Sequence, residues 1–154
     1  MKVFALSLSV VLLVAGCVAG PRPLPDALPD AFSSLGNPVL ADPAVPGQFE
    51  VVGIPGLDPM QYWCAAGEYA ANRLGQYNAR LYVVRPEGPS ETRPRARSVV
   101  FTLRPDVRVL AAANAPRDGN LSLMIRAVGD NYLATAAEST CEHVIPPFPD
   151  LSNL

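Results

Sequence analysis

The stretch Gln61-Tyr-Trp-Cys-Ala-Ala-Gly-Glu-Tyr69 concentrates the residue types that do chemistry: a thiol, a carboxylate, an amide and two phenols. Cys64 could act as a nucleophile, with Gln61 as an oxyanion donor and His143, the single histidine of the chain, as base. Spacing argues against it. Asp58 reads as a helix N-cap, Pro59 as its first residue and Gln61 as the N3 partner of a capping box. Cys64 is then well inside the helix, where the field of the N-terminus has faded. Its neighbours at helical spacing, Met60, Gly67 and Ala71, are apolar or small, and apolar surroundings disfavour a thiolate. Neither an Asp-Cys-Ser nor a Cys-Gly-x-Cys-Trp arrangement is present. A packed sulfur is the better reading, and no catalytic residue is assigned.

The other candidates are weighed the same way. Glu68 could serve as an acid or base in glycan cleavage. It is assigned to the helix face opposite Cys64, beside Gln61, Asn72 and Arg73, where a solvated polar face accounts for it. Tyr62 and Tyr69 could flank a ligand, but packing over a sheet is favoured. His143, next to a Pro-rich tail, is expected at an exposed rim. It has no second histidine, and no Cys or carboxylate pair stands at zinc spacing, so neither a metal nor a cofactor is expected. Arg93, Arg95 and Arg97, with Arg85 and Arg104 nearby, form the one local concentration of charge and a possible anion-binding group. Glu87 and Glu91 dilute it, and edge protection explains it as well.

The elements that must position these residues follow from periodicity and breakers. The helix should run from Pro59 to Leu74, with Gly75 as its left-handed cap and Met60, Cys64, Gly67, Ala71 and Leu74 as its buried stripe. Strands are expected over 48–53, 80–85, 98–103, 107–111 and 121–128. A long mobile hairpin loop, Pro-Glu-Gly-Pro-Ser-Glu-Thr-Arg-Pro-Arg-Ala-Arg, should join the second and third. Residues 132–142 read as a short helix, and 146–154 as an extended tail. The expected fold is a small single α+β domain over 47–145, with an antiparallel sheet of about four to five strands covered by the long helix and the short C-terminal one.

Before residue 47 the composition changes. Seven prolines between Pro21 and Pro46 favour an extended spacer. At about 3.1 Å per residue it would reach on the order of 80 Å. A short helical turn around Asp30–Leu35 would be the exception. Upstream, Met1-Lys2 leads into fourteen residues, VFALSLSVVLLVAG, the pattern of a secretory signal and too short for a comfortable span of about 20 apolar residues.

That run ends at Leu13-Val-Ala-Gly-Cys17, which resembles the lipobox of bacterial lipoproteins. The resemblance implies a signal peptide over 1–16, cleavage before Cys17, a diacylglycerol on its sulfur and acylation, palmitate included, of the new amino group. Several acyl chains hold a protein stably on a membrane. Val18 in place of aspartate implies the outer membrane, facing the periplasm; an ordinary secreted or soluble periplasmic protein is the alternative. In that oxidising compartment, three cysteines less the lipidated one leave Cys64 and Cys141, which are expected to pair. The bond would close a loop of about 78 residues, worth on the order of 4 kcal/mol.

Tyr62-Trp-Cys-Ala-Ala-Gly-Glu-Tyr69 and the strand Val99-Val-Phe-Thr-Leu103 are similar to uncharacterised secreted proteins of alphaproteobacteria, a resemblance that lends no functional residue. The 12 basic and 14 acidic residues nearly balance, which with the envelope address disfavours nucleic acid. The expected function is a non-enzymatic binding or assembly module, anchored to the membrane by its N-terminal lipid, with an envelope protein or anionic glycan as partner. A cell-envelope hydrolase acting on cell-wall glycan or peptide is the alternative.

Overall fold

The structure, a computed structural model, describes residues 28–116 and 125–144. Cys17, the expected signal peptide, residues 121–124 of an expected strand and the expected tail lie outside the described residues. The fold is α+β: among the described residues, one antiparallel sheet of six strands, three α-helices and the Cys64–Cys141 disulfide.

In chain order the elements are β1 (Ala31–Phe32), β2 (Pro38–Ala41), β3 (Gln48–Val52), α1 (Met60–Glu68), β4 (Arg80–Pro89), β5 (Arg97–Thr102), α2 (Val107–Asn114), β6 (Asn131–Leu133) and α3 (Ala134–Glu138). A π-helical turn, Tyr69–Arg73, extends α1, and a 3₁₀ segment, Ser139–His143, extends α3. The sheet order is β1-β2-β3-β5-β4-β6. Because β5 pairs antiparallel with both β3 and β4, those two strands run the same way, and α1 is the crossover between them.

Alternation along the central strands builds the core. Phe49 and Val51, Leu81 and Val83, and Val99 and Phe101 all point to one face, where they are buried under α1. Trp63 stacks at a tilt on Phe101 with centroids 5.0 Å apart, and Tyr69 on Phe49 at 4.8 Å. Every residue from Gln61 to Gly67 is buried. The outer side of α1 is closed by α3 and the 3₁₀ segment, and a Cβ on Gly67 would come within 2.2 Å of the Glu138 backbone nitrogen. Only glycine permits that approach.

Several expectations are corrected. The Pro-rich stretch is not spacer throughout, since β1 and β2 join the sheet upstream of residue 47, and the turn expected near Asp30–Leu35 contains β1. Pro38 is tolerated as the first residue of its strand, where a missing N–H does least harm. Residues 107–111 are helix, not strand: Asp106 caps α2 by accepting the Val109 N–H at 2.8 Å, and Ala111, Ala112 and Ala113 continue it. Residues 125–128 are not strand, and 126–128 are bend and turn. Residues 131–133 form β6 before α3 begins.

The stretch expected as a mobile loop begins inside the sheet, and only residues 90–96 connect the two strands. β4 runs on to Pro89 through two register shifts, after Val83 and after Arg85. Gly75 does adopt a left-handed φ of 67° beyond the helical segment, as expected of a cap.

Candidate functional site

Four α1-side residues at helical spacing, Ala65, Glu68, Tyr69 and Asn72, line one wall of a cleft of about 310 Å³, with Arg73 at its end. The opposite wall is the β1 edge: Ala31, Phe32, Ser33, Ser34 and, behind them, Val39. Phe32 stands 65% exposed at the lip, a large apolar surface on the outermost strand.

A carboxylate spans the cleft. Glu68 Oε2 accepts the Ser34 N–H at 2.7 Å, tying the β1–β2 turn to the helix. Asn72 donates to Glu138 Oε1 at 2.8 Å, joining the helix to α3. Burial, then the nearby Asp30 carboxylate, push the Tyr69 phenol above its ordinary range, against a smaller opposing pull from Arg73. The phenol therefore stays protonated near neutral pH and can donate.

Glu68 does not lie opposite Cys64. Four residues along a helix return to the same face, and the Glu68 carboxylate and the sulfurs of Cys64 and Cys141 all lie within 4.8 Å of one another. Cys64 is fully buried, whereas Cys141 and Glu68 are partly exposed. His143 ends the 3₁₀ segment, exposed, and does not line the cleft.

Gln61 is neither a capping-box partner nor part of a solvated face. It is 3% exposed, and its Oε1 accepts from Ile54 N–H at 2.6 Å and Asn37 Nδ2 at 2.7 Å. Its Nε2 donates to the Ile54 and Leu57 carbonyls. Asn37, itself fully buried, also donates to the Val52 carbonyl. The pair fixes the β1–β2 turn against the start of α1, and thereby the cleft's far wall. The helix start is held by Asp58 Oδ1, which accepts the Met60 N–H.

On the other face of the sheet, a second polar constellation centres on Glu50, whose side chain is 7% exposed. It accepts from Arg85 at 3.2 Å, the Ser90 hydroxyl at 2.9 Å, the Glu91 N–H and the Thr92 hydroxyl. Burial raises its pKa, but the hydroxyls of Ser98, Thr92 and Ser90 and the Glu91 N–H outweigh it, so the carboxyl is held below its ordinary value. Sequence reasoning missed this group. The pattern Phe49-Glu50-Val51 places Glu50 away from the core, but Arg85 follows Val83 by two and should face it. Val83 pairs with Phe101 and Arg85 with Val100, so one extra residue turns Arg85 to Glu50's side.

Of the three arginines of the possible anion site, Arg93 and Arg95 lie between β4 and β5 and Arg97 opens β5. Arg97 Nε pairs with Glu87 at 2.7 Å. Arg93 donates to its neighbour's carbonyl, Thr92 O, and Arg95 takes a left-handed φ of 67°. Tyr62, expected to pack, is buried and also donates to Glu87 at 3.2 Å; burial and that carboxylate push its phenol well above the usual range.

No protein-family model, curated protein or solved structure matches the chain. Among the described residues, no helix is long and apolar enough to cross a membrane.

Proposed function

We propose that this chain is a lipid-anchored envelope protein whose domain works as a non-enzymatic binding or assembly module, with the cleft between β1 and α1 as its contact surface. The anchor is a lipidated Cys17 in the outer membrane, facing the periplasm. The observation that carries the reading is the cleft's make-up. An exposed Phe32 and apolar walls adjoin isolated polar groups, while its one carboxylate is engaged by the Ser34 N–H. Acid–base hydrolysis wants two ionisable groups converging on one bond. Here Glu68 stands without a second carboxylate or histidine among the lining residues. Arg73 and the Tyr69 hydroxyl suit a carboxylate or phosphate on a partner, and Phe32 suits an apolar residue beside it.

The alternative, an envelope hydrolase, has one observation in its favour: Glu138 bonds Asn72, one side chain away from Glu68. A single experiment separates the two. The full lipidated chain, carrying a photo-crosslinking residue at position 32, is expected to capture a discrete envelope component. Combining it with Arg73→Ala should cut capture at least fivefold. Cell-wall fragment cleavage by the purified chain, abolished by Glu68→Gln, would overturn the binding reading. Unchanged membrane association of Cys17→Ser would overturn the anchor.

A further inference from the structure

The cluster of Cys64, Glu68 and Cys141 lies against the cleft and shares Glu68 with its lining. We infer that it is a redox-gated site for a soft divalent cation of the zinc type: closed while the sulfurs are bonded to each other, open once they are reduced.

Three observations carry this. The donor set is two sulfurs and a carboxylate within 4.8 Å of one another, the chemistry that selects zinc over hard cations. Cys64 and Glu68 stand four residues apart on one helix, so two of the three donors are held by a rigid element. Glu68 is already oriented, because its Oε2 accepts the Ser34 N–H and its other oxygen carries no bond among the described residues. Such outer hydrogen bonds typically set a ligand's direction. Access comes through the cleft that Glu68 lines and through the partly exposed Cys141.

The steps balance. A dithiol donor gives two electrons and two protons, the Cys64–Cys141 bond breaks to two thiols, and the donor leaves as its own disulfide. Cation binding then releases both thiol protons to solvent, and a water completes four ligands around two thiolates and one carboxylate. Around a tetrahedral ion with bonds of about 2.3 Å, the two sulfurs would sit about 3.8 Å apart. Cys141, partly exposed in the 3₁₀ segment, is the one that would have to move; Cys64 is buried inside α1. Reoxidation by a disulfide reverses the sequence and expels the ion, so cation occupancy reports the thiol–disulfide state of the compartment.

The test uses the full chain with Cys17→Ser, so that no third thiol competes. After reduction and anaerobic removal of the reductant, Co²⁺ is titrated and the thiolate-to-cobalt charge-transfer band followed, with Zn²⁺ as displacer. One Co²⁺ per chain is expected in the reduced protein and none in the oxidised one, with Cys141→Ser losing the band. Glu68→Gln is the decisive variant, expected to weaken binding at least tenfold. Equal affinity in Glu68→Gln would mean that two loose thiols suffice, and would overturn the proposal. So would a band in the oxidised chain, or no band in the reduced one. Circular dichroism guards the fold: helix and sheet signals lost on reduction and not restored by Zn²⁺ also count against the site.

Discussion

The two faces of this sheet are held by opposite means. Under α1, Phe49, Val51, Leu81, Val83, Val99 and Phe101 meet Trp63 and Tyr69 in a dry core, and a disulfide binds the far side of the helix to the C-terminal segment. Behind the sheet, Glu50 gathers Arg85, Ser90, Glu91 and Thr92 into a hydrogen-bonded latch that lays the β4–β5 loop on the strands. The first face rests on apolar burial and a reducible bond, the second on an ionised carboxylate. The candidate cleft lies on the side of the disulfide.

The sharpest way to break the first face is to remove its staple. Replacing both cysteines, Cys64→Ala with Cys141→Ala, frees a loop whose ends are 77 residues apart in sequence. The expected cost is about 4 kcal/mol from loop-closure entropy, read from urea unfolding of the oxidised proteins. A loss below about 1 kcal/mol would mean that α1 and α3 are docked by packing alone.

Packing there has its own probe. Gly67→Ala would ordinarily help a helix by about 1 kcal/mol. Here the new methyl meets backbone atoms of Ala137 and Glu138 at 2.2 to 2.7 Å, which no rotamer change can relieve. The expected result is a destabilisation of about 3 kcal/mol, the upper end for overpacking, in the same unfolding assay. A stabilised variant would show that the two helices are less closely apposed.

How legible each face was follows from local rules. The helix could be read from Pro59, Gly75 and its small-residue stripe because caps and period act within a few residues. The Cys64–Cys141 pair followed from counting cysteines. By contrast, β1 and β2 were hidden by the prolines around them: an edge strand of two residues has no period, and Asn37 and Gln61 join them only through long-range hydrogen bonds. Residues 107–109 alternate like a strand for three positions, and only the Asp106 cap and the alanines that follow tip the segment to helix. Arg85 was unreadable for a different reason. An irregularity in pairing reverses side-chain parity, and nothing in Val-Val-Arg-Pro announces it. Glu68 needed no structure at all, since its i+4 relation to Cys64 is sufficient to place it on the disulfide's face.

The polar latch should answer to acid instead. Glu50's folded pKa is depressed below 4.5, so near that value the unfolded chain binds more protons than the folded one, and stability rises with pH. Its contribution is therefore full above about 4.5 and lost as pH falls through the folded value. Glu50→Gln keeps the shape but weakens four charge-assisted bonds; a loss of about 2 kcal/mol is expected at pH 7. As pH falls below about 4.5 and through the folded value, the gap from the wild type should narrow. A gap constant from pH 7 to 3 would mean that the carboxylate's charge plays no part.

The smallest effect expected is the most informative about the arginine loop. Arg97 is 61% exposed and pairs with Glu87, and that carboxylate keeps the guanidinium even more firmly protonated than usual. An exposed pair of this kind is screened by solvent and contributes little, so Arg97→Ala should leave thermal unfolding almost unchanged. If the loop instead binds an anionic partner, the triple variant Arg93→Ala, Arg95→Ala and Arg97→Ala would weaken envelope association in a salt-dependent way while the fold persists. Because Glu50 holds the loop through Ser90 and Thr92, upstream of all three arginines, such a loss could be assigned to charge and not to a loop set adrift. If envelope association is unchanged in the triple variant, the arginines serve solubility alone, since β5 is paired on both sides and offers no sheet edge there, and the partner surface belongs to the cleft.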